Sequence, residues 1–455
     1  MKNITNINCH SCKNRNLKPT ILWILTFAGT TRRVTTAKRA FVSMLFVLLS
    51  TFVFSQEKLS LTDCYSLVNK NYPIAKQSDL LATKNDYDLA VLKTAKLPQL
   101  DFTTQATYQS AVTQIPIKLP NLTVEPPNKD QYKATVSFNQ LLFDGGIINA
   151  REKVINADLK TSQQQVAVNL YRLKQQINQL YFSILLKQKN KALLMAKQEM
   201  LASKLKEVNA GVKYGMLLPS SSDIIQAELL KINQRFTELN ANRNSLIETL
   251  SSLIGKSISN DVVLESPLEI TTNSNQISRP ELQLFQLQKN KLTASENVLK
   301  KQNNPKLIAF ATGGYGNPGL NMLDNSFEPF YLVGVKLNWS IFDWNASKKQ
   351  QKSLKINQDI VDNEQEIFEL STKIKLDAQQ QEINKLNKLL QSDENIINLH
   401  QSILKTTESQ LKNGVITTSE YITQLTNLFE SKNKLATHKI KLLLAKANYN
   451  TIKGN

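Results

Sequence analysis

The segment VAVNLYRLKQQINQLYFSI, residues 166–184, places Val166, Leu170, Leu173, Ile177, Leu180 and Ile184 at alternating steps of four and three. That spacing puts all six on one stripe of a helix and reads as a coiled-coil seam. Leu194, Leu201, Leu205, Val208 and Val212 continue in the same phase. The surrounding run, Ile147 to Ala210, holds sixty-four residues without a glycine or proline. As one helix it would reach roughly 96 Å at 1.5 Å per residue, far beyond an ordinary globular helix. Asn345 to Asn413 is a second such run, with Ile383, Leu390, Ile397, Leu404 and Leu411 spaced by seven. A chain that builds one rod twice builds a long structure rather than a pocket.

Around the rods the period changes. Leu100, Phe102, Thr104, Ala106 and Tyr108 alternate with polar residues, as do Tyr132, Ala134, Val136 and Phe138. These are two amphipathic strands of about ten residues, separated by a loop containing Pro116, Pro120, Pro126 and Pro127. Leu307–Tyr315 and Tyr331–Ile341 supply two more strands. Phe143-Asp144-Gly145 leads into the first rod and Phe342-Asp343-Trp344 into the second, with Asp144 placed to cap its helix. Glycines 215 and 414 mark the far turns, and return helices start near Ser221 and Thr418. Phe143 to Phe342 and Gly215 to Gly414 both give an offset of 199, so one unit of about 200 residues occurs twice. The expected division is a leader (1–55), N-terminal helices (56–97), a first strand pair (98–143), a first long hairpin (144–255), a connector (256–279), a helix (280–304), a second strand pair (305–343), and a second hairpin to the C-terminus (344–455).

Composition fits long helices: 41% apolar residues, with 13 Gly and 13 Pro in 455. Phe41–Phe54 is an apolar run preceded by Lys38 and Arg39 and followed by Ser55-Gln56. It is too short to span a membrane as a helix and reads as a secretory signal peptide. Cys9 and Cys12 belong to this leader; Cys64 alone follows it, so no intrachain disulfide is expected. Leu61-Thr62-Asp63 lacks the small residues that precede a lipidated cysteine, and no lipid anchor is expected. Removing the leader's eight basic residues leaves 48 Lys+Arg against 37 Asp+Glu, a net of +11. That charge alternates with Gln, Asn and Glu along the rods, unlike the clustered face of a nucleic-acid reader. The histidines are His10, His400 and His438 only, and no nucleophile, phosphate-loop or dinucleotide motif lies in a usable context. No cofactor, metal or enzymatic activity is expected. Gly313-Gly314-Tyr315-Gly316 reads as strand geometry.

Four strands of this length suit a tilted crossing of a bilayer but cannot close a barrel alone. Several copies are therefore expected, two giving eight strands with a filled interior and three giving twelve with a lumen. The rods then extend into the periplasm. Phe143, Trp339, Phe342 and Trp344 suit an aromatic girdle at the membrane interface or, equally, packing in a core. The rival class is a secreted coiled-coil adhesin or spacer that transports nothing.

The duplicated helix, strand pair, Phe-Asp junction, rod, glycine turn and return helix resemble the TolC-like outer-membrane efflux proteins over essentially the whole mature chain. The sharpest local likeness is at the tips, Gly414-Val415-Ile416-Thr417-Thr418-Ser419-Glu420-Tyr421 and Gly215-Met216-Leu217 through Asp223-Ile224, the latter two residues longer. The resemblance implies a mainly α fold with a membrane β-barrel: a homotrimer with a twelve-stranded barrel and an α-helical periplasmic tunnel. It implies residence in a Gram-negative outer membrane, among its lipids, and docking through Gly215, Met216, Leu217, Gly414, Val415 and Ile416 to a periplasmic adaptor. That adaptor serves an inner-membrane efflux pump or a type I secretion transporter. The resemblance further implies an aperture lined by Glu420 and latched through Asp223 and Ser222. Thr423 and Ile416 depart from the family's second acidic residue and latch arginine. Glu420 and Asp223 equally suit the start of a return helix, where acidic groups complement the helix dipole.

Overall fold

A computed structural model describes residues 58–114, 126–267 and 276–454. The leader, Pro116 and Pro120 of the first loop, and the middle of the 256–279 connector lie outside these residues. The elements are β1 (Lys58–Leu59), α1 (Leu61–Asn71), a 3-10 turn (Pro73–Lys76), α2 (Gln77–Thr94), β2 (Gln99–Tyr108), β3 (Asp130–Phe143), α3 (Ile147–Lys213), α4 (Pro219–Ile254), β4 (Val263–Leu264), α5 (Pro280–Gln302), β5 (Lys306–Asn317), β6 (Glu328–Asn338), α6 (Ala346–Lys412) and α7 (Thr418–Lys453).

Both rods are single helices of 67 residues, and both return helices have 36. The offset of 199 extends to backbone detail. Gly145 and Gly146 at the start of α3 have positive φ, as do Trp344 and Asn345 at the start of α6. Asp144 accepts from the Gly146 and Ile148 N–H groups at 2.9 and 2.7 Å. Asp343 accepts from the Ser347 N–H at 3.0 Å and its hydroxyl at 2.5 Å. Each Phe-Asp junction thus supplies an oxygen acceptor for the unsatisfied donors of a helix start. These hydrogen bonds, with one from Asn303, hold the Asp343 carboxyl down to about 2.

The strands form one antiparallel sheet in the order β2-β3-β5-β6, so β2 and β6 are open edges. The sheet is longer than the alternation predicts at β3, where pairing runs to Phe143 past an irregularity between Leu141 and Phe143. At β6 it is displaced by three residues, starting at Glu328 and ending at Asn338. Trp339, Phe342 and Trp344 therefore follow the strand rather than belonging to it. Beneath the sheet the helices lie side by side in the matching order α2-α3-α5-α6. Asn85 to Asn156, Lys291 to Asp158 and Lys289 to Asp362 stitch the three junctions.

Midway along the rods sits the principal core. Ile177, Tyr181, Phe182, Ile184 and Leu185 of α3 pack against Cys64 and Val68 of α1, Leu250 and Ile254 of α4, and Ile440 of α7. The connector carries β4, which pairs in parallel with β1. The Tyr181 hydroxyl donates to the Leu59 and Glu265 carbonyls at 2.9 and 2.7 Å, fastening this two-stranded sheet to the rod. Burial pushes the Cys64 thiol up to about 12, consistent with an inert packing residue.

Candidate functional site

Two regions carry the sequence-identified residues: the sheet, and the far ends of the hairpins. In the sheet, register assigns every side chain to a face. Leu100–Phe138–Ala311–Val333 and Phe102–Val136–Gly313–Tyr331 are cross-strand rows of one face, an apolar one. Asp101–Ser137–Thr312–Leu332 and Gln105–Lys133–Gly316–Glu328 belong to the other. The apolar face is uncovered, with Phe102 at 72% exposure and Tyr331 at 78%. At one end of the strands Phe143, Trp339, Phe342 and Trp344 are exposed as well, Phe342 and Trp344 meeting edge to face at 4.9 Å. They form no core within the protomer. At the opposite end Phe327 stacks between Tyr132 and Tyr315, centroids 6.4 and 5.7 Å away. This second aromatic group was not anticipated, because Phe327 reaches the strands from a loop.

The hairpin tips turn at Gly215 (φ 72°) and Gly414 (φ 68°), left-handed positions that glycine adopts without strain. Gly211 lies under the Leu217 side chain, where a Cβ would meet Leu217 Cδ1 at 2.9 Å. Met216, Leu218 and Val415 are exposed, whereas Leu217 and Ile416 pack against a second core built from both hairpins, with Val208, Ile225, Leu411 and Leu425 among its buried residues. Glu420 forms a capping box with Thr417: its carboxylate accepts from the Thr417 N–H at 3.0 Å, and its own N–H donates to Thr417 Oγ1 at 3.2 Å. Ser222 donates to Asn209 Oδ1 at 2.7 Å across the first hairpin and accepts from Gln226 at 2.9 Å. Asp223 is exposed beside it.

Beside that shared core, in which Leu201 and Ile225 of the first hairpin meet Leu404, Tyr421 and Leu425 of the second, a pair of lysines that sequence reading passed over joins the two hairpins. Lys197 and Lys204 sit on α3 at 3% and 5% exposure. Lys197 donates to Glu228 of α4 at 2.8 Å and to Thr426 Oγ1 of α7 at 3.2 Å. Lys204 donates to Glu207 on its own helix at 2.7 Å and to Glu408 of α6 at 2.9 Å, with the Tyr421 ring of α7 5.3 Å from its Nζ. Burial opposes charge on Lys204, but the two carboxylates outweigh it and raise its pKa. The Lys204 hydrogen bond holds Glu408 low. At Glu228 burial acts upward, and Lys197 and Lys231 together overcome it and lower the pKa. Both lysines follow seam leucines by three, Leu194 to Lys197 and Leu201 to Lys204, a signal of polar residues within a seam that was available.

Among the described residues no group of three or more His, Cys, Asp or Glu is arranged to hold a metal, and no helix is long and apolar enough to cross a membrane. His438 Nδ1 lies 2.6 Å from Asp393 between α7 and α6.

An open four-stranded sheet continued by two side-by-side helical hairpins is the fold of the TolC-like outer-membrane channels. Three solved structures illustrate the likeness. The outer membrane protein VceC from Vibrio cholerae is 12% identical, with 87% of this chain and 96% of that chain covered at a TM-score of 0.61. The CmeC outer membrane channel of Campylobacter jejuni is 13% identical, covering 87% and 85% at 0.59. The open state of the MtrE outer membrane channel of Neisseria gonorrhoeae is 12% identical, covering 87% and 89% at 0.59. At such identity the likeness is one of fold. No family model and no curated protein matches the sequence.

Proposed function

We propose that this protein is an outer-membrane channel, three copies of which close a twelve-stranded barrel and an α-helical tunnel leading into the periplasm of a Gram-negative cell. The observation that carries the reading is the protomer's pair of unfinished edges. Strand β6 and helix α6 end one side, β2 and α2 the other. An open strand edge in lipid leaves backbone groups unsatisfied, so the sheet demands neighbours. Head-to-tail pairing of β6 with the next copy's β2 closes a ring when the rotation per copy divides the circle. Exposed Ile356, Ile360, Ile367 and Ile374 on α6, and Leu80, Tyr87 and Val91 on α2, are apolar side chains for the same junction. The uncovered apolar face of the sheet then meets lipid, between aromatic girdles at both ends.

In this reading the chain is two copies of one unit and is secreted by its leader. It serves as the exit duct of a tripartite efflux or type I secretion assembly and catalyses no reaction. The exposed tips at Met216 and Val415 dock a periplasmic adaptor, through which an inner-membrane pump or transporter supplies cargo. The aperture lies near Glu420, Asp223 and Ser222. With Ser222 engaged inside its own hairpin and Glu420 in a cap, the polar contacts that must break for the hairpins to part are those of Lys197 and Lys204, together with the apolar core the hairpins share. A planar bilayer holding purified protein tests the reading. Discrete conductance steps from a species with the mass of three chains are expected; a monomer that passes no current would establish the rival, a spacer without transport.

A further inference from the structure

One face of the sheet becomes the barrel's lumen if the apolar face meets lipid, and that face is not uniformly polar. Its β2–β3 half presents Asp101, Thr103, Gln105, Thr135 and Ser137, as a water-filled lumen requires. Its β5–β6 half presents Ile308, Phe310, Thr312, Phe330 and Leu332. The two phenylalanines are seated on glycines directly across the strand pair. A Cβ on Gly314 would lie 2.5 Å from Phe330 Cζ, and one on Gly334 2.8 Å from Phe310 Cζ. Gly314 and Gly334 therefore make room for the two rings on the lumen face, each glycine covered by the aromatic side chain across from it. Lys133 Nζ lies 5.1 Å from the Phe330 centroid, at one end of the strip, and Lys336, opposite Ile308, stands at the other.

The remaining charges on this face are Lys306, Asp101 and Glu328. Lys306 adds to the cationic end. Asp101 is on β2, two strands from β5 in the protomer and on the strand beside the next copy's β6 once the ring closes. Glu328, in the row of Lys133 but on β6, is at the rim, where it accepts from the Ser326 hydroxyl at 3.1 Å. We infer that the β5–β6 half of the lumen face is a contact track for anionic aromatic amphiphiles, stacking their rings on Phe310 and Phe330 while Lys133 and Lys336 hold their acid groups. This rests on the channel reading. The chemistry is that of a ring with a lysine beside it: the apolar body finds an aromatic surface, and the acid group finds an ammonium that no carboxylate of its own protomer pairs, in a confined space. Three copies would line the lumen with three such tracks separated by polar sectors.

The test is a planar bilayer in KCl with 2-naphthalenesulfonate as probe. The wild-type trimer is expected to show current interruptions. Their dwell time should fall about threefold or more in Phe330→Thr and in Lys133→Gln, the loss of one aromatic or one charged contact. Phe310→Thr supplies a second ring variant, and the KCl current of each variant certifies its assembly. 2-Naphthyltrimethylammonium and methanesulfonate, lacking the acid group and the ring respectively, should give none. A conducting wild type that naphthalenesulfonate does not interrupt, or interruptions unchanged in every variant, overturns the inference while leaving the channel standing. A wild type that passes no KCl current removes both.

Discussion

Lys204 shows how a single polar side chain can tie two hairpins from within the apolar core they share near their tips. Its ammonium is buried and doubly paired, so truncation removes charge-assisted hydrogen bonds together with the packing of the stem. Glu408 is half exposed, which screens its part of the interaction. Lys204→Ala is expected to cost roughly 1–2 kcal/mol locally. The loss should appear as faster amide exchange in Leu404–Leu411 and Tyr421–Leu428, with a larger bilayer conductance. Lys231→Ala, which removes an exposed partner 3.6 Å from Glu228, should change neither. The pH dependence follows from the same groups. Glu228 and Glu408 are depressed, so their contribution is present above the ordinary carboxylate value of 4.5 and fades as pH falls through their lower folded values. Lys204 is raised, so its contribution is complete below 10.5 and is lost only above that value. Exchange protection near the tips should therefore be flat from about pH 5 to about pH 9 and drop in acid. These lysines were hard to read because a lysine is ordinarily assigned to a solvated flank. Only the partners folded against α3, Thr426 and Glu408 being 229 and 204 residues away in sequence, turn them into buried ties.

At the scale of elements, sequence pattern was most informative where one period persists over many residues. The absence of breakers delimits α3 and α6 to within a few positions, and Gly215, Pro219 and Gly414 mark the turns. Pattern failed where an element is short or exists only through its partner. β1 and β4 have two residues each, too few for any alternation, and form by pairing with each other under the Tyr181 hydroxyl. Glu420 illustrates a site reading with two answers: the helix-start role is visible as a capping box, while an aperture role needs neighbouring copies. The tip glycines yield a prediction at this scale. Around Gly215 and Gly414 a Cβ would meet nothing within 4 Å, so only left-handed backbone resists substitution. Gly414→Val should destabilise the second hairpin by about 1–2 kcal/mol, and Gly414→Asn by less, since asparagine tolerates that conformation. Thermal unfolding followed by helical circular dichroism measures both. Equal melting points for valine and asparagine would show that the turn does not constrain the hairpin.

The whole molecule is intelligible only as a part. Its sheet and its helical layer end at the same two edges, and the helical edges carry large apolar side chains. Ile360 and Ile367 of α6 are 50% and 59% exposed in the protomer. Both are part of a stripe turned away from α5, whose contacts with α6 are made by Gln358, Asp362 and Phe368. Burying each isoleucine against a neighbour would contribute roughly 1.5–3 kcal/mol, repeated at all three junctions of a closed trimer. Aspartate at these positions would instead place an unpaired carboxylate in the junction, a larger penalty than the lost burial. The protomer itself should be indifferent, because neither side chain contributes to its cores. Ile360→Asp/Ile367→Asp is therefore expected to retain full helical circular dichroism while native mass spectrometry shows one chain rather than three, and bilayer conductance disappears. A double variant that remains trimeric would place the junction elsewhere and separate the helical layer from ring closure, leaving the strand edges alone to hold the copies together.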